Sequence, residues 1–308
     1  MSNTTRWVDT TNVSLEGILS KFLSDIEPKE SQEKISYINF SVSKEFEENN
    51  FFKFGNKQIE YNIINFSFDS VFPGVLPIED RTTPTTGVII VYTLVNKVNY
   101  IIDKNTDALM ILRLLLGYKN KLEIEKKSSD IHSKLLTWII SRLFKEENEL
   151  VMTISPEDEK TLTLNSMVGF KGQTDDQISF VSANGDSILN ILSTLSFLLE
   201  SKMLKQIKLR LEFDKHENLE INLKDTQTIS ANVNKYDGPF DEYSSKPQKM
   251  AEIYLLIYLE IMPLLYLEYQ KDVENEMWGV KEQKEFLTLV KDKLIAKINE
   301  KTQLMDEQ

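Results

Sequence analysis

The segment VIIVYTLVNKVNYII, residues 88–102, decides the fold class. Val88–Val95 is an unbroken apolar run rich in β-branched residues, which is typical of a strand buried on both faces. Asn96-Lys97 follows as a turn signal and leads into a second run, Val98–Ile102. Two apolar runs joined by so short a turn predict neighbouring antiparallel strands. We therefore expect a sheet that is covered on both sides.

A second hairpin is predicted just upstream of this segment. Phe51–Phe54 and Ile59–Phe68 flank Gly55-Asn56, a dipeptide that favours a tight turn. Inside the longer run, the apolar phase changes between Ile63 and Ile64. Such a change predicts a bulge or bend in the strand.

The connection between these hairpins, residues 69–86, contains three of the eight prolines and is expected to be irregular. It is also too apolar for a free linker, so we expect it to pack down on the sheet. Its apolar residues are Val71, Phe72, Val75, Leu76 and Ile78.

Two helices frame these strands. Leu15–Ile26 places apolar residues on one helical face, with Ser14 as the expected N-cap. A second helix is expected over Asp107–Leu116 and should end at Gly117, a residue that accepts the left-handed conformation of a C-cap.

Strands and helices are grouped along the chain rather than strictly alternating, which predicts an α+β fold with mostly antiparallel sheets. The chain closes with a long helical pair, expected over residues 249–273 and 281–304. An acidic run at residues 145–149 is the best candidate boundary. We therefore expect two α+β halves, residues 1–148 and 149–308.

Composition excludes several classes of protein. The net charge of −12 disfavours nucleic-acid binding unless basic residues are segregated on one surface. Cysteine is absent, which excludes disulfides, thiolate metal sites and cysteine nucleophiles. The polar start lacks the apolar core of a signal peptide, so cytoplasmic residence is expected. Abundant Lys, Asn and Ile are associated with AT-rich bacterial or mobile genomes.

The segment Met250–Tyr269 is apolar enough to suggest a membrane span. It is interrupted by three carboxylates and by Pro263, however, and a carboxylate is costly at the centre of a bilayer. We therefore expect no membrane insertion. A helix that is apolar on nearly all sides belongs to a core or to a partner interface, and the core is the favoured alternative.

A metal-dependent nuclease needs an acidic residue followed by an acid-x-Lys triplet. Asp103, Glu125 and Lys127 have a permissible spacing, although a helix separates them. Another candidate is Asn184–Ser187, which lies between a predicted strand and a helix where phosphate-binding loops occur. It contains one glycine and an aspartate, which favours an ordinary turn.

A third helix is expected after an N-cap at Ser128 or Ser129. His132 lies on its apolar face and is expected to be packed and hydrogen-bonded. With two histidines and no cysteine, a zinc enzyme would need mostly carboxylate ligands, which zinc rarely uses alone. No metal site and no cofactor site is predicted.

The hairpin over residues 207–223 has one register that pairs Phe213 with Leu219 and keeps all its apolar residues on one face. That register places Glu212 opposite Glu220. Two solvated carboxylates are expected, offset by Arg210, and a cation held with help from His216 is the alternative.

The sequence as a whole favours a non-catalytic protein that works by protein–protein contact. It is expected to be an accessory subunit or a homo-oligomer in an intracellular bacterial or phage-linked complex, with antiviral defence as one setting. The alternative is a metal-dependent nuclease or nucleic-acid binder. It would use Asp103, Glu125 and Lys127 as the metal site. A basic strand face made of Lys205, Lys208 and Arg210 would contact the nucleic acid.

Overall fold

The computed structural model describes residues 3–11, 13–31, 33–55, 57–155, 158–173, 180–184, 192–200, 203–243 and 245–306. It has an α+β fold with 38% helix and 38% strand. All strand pairs in these residues are antiparallel, as predicted.

The elements follow one another along the chain. The strands are β1 (Thr5–Asp9), β2 (Lys29–Glu30), β3 (Ser36–Lys44), β4 (Asn50–Phe54), β5 (Lys57–Val71), β6 (Thr82–Leu94), β7 (Lys97–Ile102), β8 (Ile124–Lys126), β9 (Glu149–Ser155), β10 (Asp158–Gln173), β11 (Phe180–Asn184), β12 (Met203–Phe213), β13 (His216–Lys224) and β14 (Thr228–Ala231). The helices are α1 (Leu15–Phe22), α2 (Ala108–Leu116), α3 (Ser133–Lys145), α4 (Leu192–Glu200), α5 (Phe240–Tyr243), α6 (Lys246–Leu256), α7 (Met262–Glu274) and α8 (Val280–Asp306). A π-helical turn, Ile257–Ile261, joins α6 to α7.

The chain divides into two compact units. The first unit combines residues 2–128 with residues 245–255, and the second combines residues 129–244 with residues 256–308. The predicted division at residue 148 remains a prediction about which fragments fold alone. The compact units instead change over at Ser128–Ser129, and a later piece of chain returns to complete the first unit.

The first unit is built on an eight-stranded sheet in the order β2-β3-β5-β6-β7-β1-β8, with β4 paired to β5. One face forms a core with α1 and α2, into which β5 sends Ile64, Phe66 and Phe68. The opposite face of β5 buries Tyr61 and Ile63. The sheet is thus buried on both faces in its middle, as the apolar runs predict.

Burial on both faces also explains a wrong prediction. Pairing of β5 with β6 runs from Tyr61 to Val71 without a register shift, so the bulge expected between Ile63 and Ile64 is absent from this ladder. Both isoleucines are fully buried, one on each face. The change of apolar phase marks the point where the second face becomes covered.

Local turn and cap signals are mostly confirmed. Phe54 pairs with Lys57, so the β4–β5 hairpin turns between these two residues, as predicted. The Ser14 hydroxyl accepts from the Gly17 amide at 3.2 Å and caps α1. Gly117 ends α2 in the left-handed conformation with φ of 69°.

The β6–β7 turn lies one residue earlier than predicted, at Val95-Asn96 instead of Asn96-Lys97. Leu94 pairs with Lys97, so the loop has two residues, and both have positive φ, 51° and 59°. These values match the mirror-image turn that suits the twist of a hairpin.

The second unit contains a six-stranded sheet in the order β11-β10-β12-β13-β14, with β9 paired to β10. Helix α3 packs on β10 and β12, and α8 packs on α4. The cap of α3 is His132 rather than Ser128 or Ser129, since its Nδ1 accepts from the Leu135 amide at 3.1 Å. His132 is thus hydrogen-bonded as expected, but it lies at the helix start.

The apolar segment Met250–Tyr269 lies within α6, the π-helical turn and α7. Among the described residues, one continuous helical stretch, Lys246–Glu274, is long and apolar enough to cross a membrane, and 78% of its most apolar window is buried inside the structure. This burial supports the expectation of a core helix. The π-helical turn ends two residues before Pro263, whose ring would clash with the carbonyl of Leu259 in a regular α-helix.

Candidate protein-interaction surfaces

The nuclease candidates are not brought together. Glu125 lies opposite Val8 of β1, and Val8 in turn lies opposite Asn99 of β7. Asp103 is four residues beyond Asn99 and two strands away from Glu125, which separates their Cα atoms by about 16 Å. Lys127 is exposed. In the described part of the chain, no group of three or more acidic or histidine residues could hold a metal ion.

Asp103 instead closes the edge of β6. Its Oδ1 accepts from the Val88 amide at 3.0 Å, and the neighbouring Lys104 donates to the Thr86 carbonyl at 2.6 Å. A side chain at Gly87 would meet the Asp103 Oδ1 at 2.5 Å. The acidic residue that suggested a metal ligand therefore holds the sheet edge.

The register of the β12–β13 hairpin differs from the predicted one. Arg210 lies opposite Glu220, and Phe213 pairs with His216 across a two-residue turn. The predicted pairing of Phe213 with Leu219, and the expected opposition of Glu212 and Glu220, are therefore wrong. The two registers differ by two residues, so each keeps the same side chains on the apolar face, and periodicity cannot separate them.

Glu220 is 2% exposed and is the centre of a buried ionic cluster. Its carboxylate accepts from Lys208 Nζ at 2.7 Å, Asn232 Nδ2 at 3.0 Å and Lys235 Nζ at 3.1 Å. Burial opposes ionisation, but the hydrogen bonds from Lys208, Asn232 and Lys235 outweigh it and lower the pKa of Glu220 to about 2. The predicted pair of solvated carboxylates is replaced by a paired, buried charge.

The basic strand face is also largely neutralised. Lys208 pairs with Glu220, and Lys205 pairs with Asp225 at 2.8 Å. Glu212, the other expected member of a cation site, accepts from Asn165 Nδ2 at 2.6 Å. This face therefore presents few uncompensated positive charges to a phosphate backbone.

His216 is packed rather than poised near a cation. Its Nδ1 lies 2.6 Å from the Tyr236 hydroxyl, and its ring packs on Phe213 and Phe240. Burial lowers its pKa to about 4, although Asp214 opposes this shift. The imidazole is neutral at physiological pH and belongs to an aromatic core.

Asp9 is a buried carboxylate that no sequence pattern indicates. Its Oδ2 accepts from the hydroxyls of Tyr100 and Tyr118, each at 2.7 Å, and its Oδ1 accepts from the Thr11 amide at 2.8 Å. Burial, with Asp9 adding to it, raises the pKa of Tyr100, so its phenol stays a proton donor. The chain's own donors occupy this carboxylate, which indicates a structural role.

Buried carboxylates of the apolar helix are paired as well. In the first unit, Glu252 Oε1 accepts from the Tyr61 hydroxyl at 2.9 Å and from Gln248. In the second unit, Glu260 of the π-helical turn forms an ion pair with Lys160. A π-helical turn often marks a functional site, but here the carboxylate of Glu260 is already bound to Lys160.

The phosphate-loop candidate is Asn184–Ser187, and its residues 185–187 lie outside the described residues.

The connection between β5 and β6 does not pack down as predicted. Its tip loop, residues 72–81, is exposed on the outside of the sheet. Leu76 is 60% exposed, Ile78 is 61% exposed, and Val75 is fully exposed. Strands β5 and β6 extend to Val71 and from Thr82, which carries these side chains away from the core.

The second exposed apolar surface lies on α8. One side of this helix is buried, and it carries Phe286 and Val290. Another side, which we call the α8 face, combines four exposed apolar residues with two exposed lysines. Its members are Val280, Lys284, Leu287, Lys291, Ile295 and Ile298. Leu287 is 38% exposed and Ile298 is 48% exposed, although both lie at helical spacing from the buried Val290.

A shallow depression also lies on α8. It is lined by Lys281, Lys284, Glu285, Thr288 and Leu289. Because all five residues belong to one helix, the depression has no opposing wall that could enclose a small ligand.

No model of a known protein family matches this chain, and a search of curated proteins finds no match.

Proposed function

We propose that this chain is a non-catalytic, protein-binding accessory subunit of an intracellular bacterial or phage-linked complex, with antiviral defence as one setting. The observation that carries the proposal is the exposed α8 face. Four apolar side chains along about 27 Å of one helix are a surface of the kind that partner helices or grooves cover. The separation of Asp103 from Glu125 gives the nuclease alternative no comparable support.

The experiment is purification of the tagged full chain from its own cells, followed by light scattering of what elutes. The face variant Leu287→Lys/Ile298→Lys places two charges on the α8 face. The matched control is Leu289→Lys, which changes an exposed leucine on the other flank of the same helix. We expect the wild type and the control to elute with a partner at fixed stoichiometry, and the face variant to elute without it.

Two results would overturn the proposal. One is a face variant that keeps its partner at the wild-type ratio. The other is Mg²⁺- or Mn²⁺-dependent cleavage of DNA or RNA that Glu125→Gln abolishes, which would make the chain a nuclease. Thermal denaturation of each variant accompanies the assay, since unchanged melting temperatures show that the fold is retained.

A further inference from the structure

We infer that the tip loop of one copy of this chain docks on the α8 face of a second copy. The inference rests on the proposed protein-binding function and names the partner. Both surfaces are apolar and exposed, and they carry opposite charges. Glu79 and Asp80 lie beside the apolar residues of the tip loop, whereas Lys284 and Lys291 lie among those of the α8 face. Lys291 also forms an exposed ion pair with Asp292 at 3.4 Å, so Lys284 is the main positive charge of this face.

Hydrogen bonds from two side chains to backbone carbonyls hold the tip loop in one shape. Arg81 donates to the carbonyls of Phe72 and Leu76, the latter at 2.8 Å from its Nε. The Thr82 hydroxyl donates to the Ile78 carbonyl at 2.6 Å. A loop that is ordered before binding loses less conformational entropy when it binds. Its exposed apolar side chains are thus presented for contact.

The sheet edge beside the tip loop is unsuited to recognition by strand addition. Pro84 has no amide hydrogen, Lys104 occupies the Thr86 carbonyl, and Asp103 occupies the Val88 amide. Such features block an edge strand from pairing with another strand. Contact at this end of the sheet therefore depends on the side chains of the tip loop.

Charge favours this contact over an anionic membrane and over two α8 faces brought together. An anionic membrane would be repelled by Glu79, Asp80 and the chain's net charge of −12. Two α8 faces brought together would oppose their lysines. The tip loop against the α8 face pairs apolar with apolar and acidic with basic.

This contact joins two different surfaces, so each copy keeps one free tip loop and one free α8 face. Such a contact builds a ring or an open chain rather than a closed pair. We therefore expect the average mass in light scattering to rise with concentration above the 35.8 kDa of one chain.

Complementary variants test the contact. Val75→Ser/Leu76→Ser/Ile78→Ser removes the apolar tip, and Leu287→Lys/Ile298→Lys disrupts the α8 face. Each is expected to be monomeric alone. Mixed in equal amounts they retain one intact contact, so we expect a complex of twice the single-chain mass that does not grow further. Leu122→Ser, at another exposed apolar residue, is the control and should behave as the wild type.

A charge exchange tests the pairing. Lys284→Glu/Lys291→Glu should raise the dissociation constant of self-association at least tenfold. Adding Glu79→Lys/Asp80→Lys to the same chain should restore it to within about threefold of the wild type.

Three results would overturn the inference. The first is a wild type that stays monomeric at all concentrations. The second is self-association that Val75→Ser/Leu76→Ser/Ile78→Ser does not change. The third is flotation of the wild type with vesicles of phosphatidylserine and phosphatidylcholine that this variant abolishes. The proposed function is judged separately. If the wild type is monomeric but its partner complex still requires the α8 face, the self-docking inference fails and the protein-binding proposal stands.

Discussion

Glu220 illustrates at the scale of single residues how a buried charge is stabilised. Lys208 of β12 and, from the segment after β14, Asn232 and Lys235 converge on its carboxylate. Removing one member of a buried ionic cluster leaves the others without a counter-charge, and the cost of such a change is typically several kcal/mol. Here the lysines are 28% and 55% exposed, so water can replace part of what they lose.

We therefore predict that Glu220→Gln lowers the free energy of unfolding by about 2–3 kcal/mol, measured by urea denaturation. Glu212→Gln is the control, because Glu212 is exposed, and its effect should stay within about 0.5 kcal/mol. The sequence alone predicts the opposite for Glu220, a neutral or slightly stabilising change. Equal effects of the two substitutions would show that Glu220 is not buried among its partners.

His216 predicts a pH dependence in mild acid. Because its folded-state pKa is about 4 and the ordinary value is 6.5, the unfolded chain takes up a proton first as the pH falls. Stability should fall between pH 6.5 and pH 4, by at most about 1.4 kcal/mol per pH unit. Glu220 contributes a further loss from about pH 4.5 to pH 2, since its folded pKa is about 2.

The measurement is the melting temperature of the wild type and of His216→Gln across this pH range. We expect the variant to lose part of the slope between pH 6.5 and pH 5, where few carboxylates titrate. Burial also lowers the pKa of His132, which contributes the remaining slope. A slope that the variant retains in full would assign the effect to other groups.

The cross-strand partners in the β12–β13 hairpin cannot be predicted from the sequence alone. Leu209, Leu211 and Ile221 were correctly predicted to be buried on one face. Their cross-strand partners were not, because a slip of two residues preserves the face and changes every neighbour. The slip decides whether Glu212 or Arg210 lies opposite Glu220, and therefore whether Glu220 faces a like or an opposite charge.

At the scale of elements, the β6–β7 turn carries a residue that does not suit its conformation. Val95 has a φ of 51° and is 85% exposed. A β-branched side chain is strained in the left-handed region, at about 1–2 kcal/mol, whereas asparagine accepts it. The exposed side chain contributes little packing that could offset this strain.

Val95→Asn is therefore predicted to stabilise the chain by about 1 kcal/mol in urea denaturation. Val88→Asn, within the β6 strand, is the contrasting control and should destabilise it, since β-branched residues suit strands. If Val95→Asn destabilised the chain, the turn would not have the left-handed conformation.

Elements were predictable where the signal is local. Ser14 and Gly117 mark helix ends through their own backbone chemistry, and both predictions are confirmed. The tip loop was not predictable in this way. Its apolar residues suggested burial, but exposure depends on β5 and β6 continuing past the core, which is a long-range property of the sheet.

At the scale of the molecule, the first unit is discontinuous in sequence. Residues 2–128 are completed by residues 245–255, and Glu252 of this returning segment accepts the hydrogen bond of the buried Tyr61 hydroxyl. A fragment that ends at residue 148 lacks this segment. Its sheet would leave apolar surface and a buried hydroxyl uncovered.

We predict that residues 1–148 expressed alone bind a hydrophobic dye and resist proteolysis less than the same residues in the full chain. Adding residues 245–255 through a flexible linker should reverse both changes. The control is the same linker followed by those residues with Glu252→Lys. A fragment that folds cooperatively without the segment would support the predicted boundary at residue 148.

The returning segment also sets an order of events during synthesis. The ribosome must add more than a hundred residues after Ser128 before residue 255 exists. At about 5–20 residues per second, that interval is on the order of ten seconds. Throughout it, the nascent chain carries a sheet with one face unfinished, while the second unit is still being made. The position of one short helical segment, residues 245–255, therefore sets how long that face stays uncovered during synthesis.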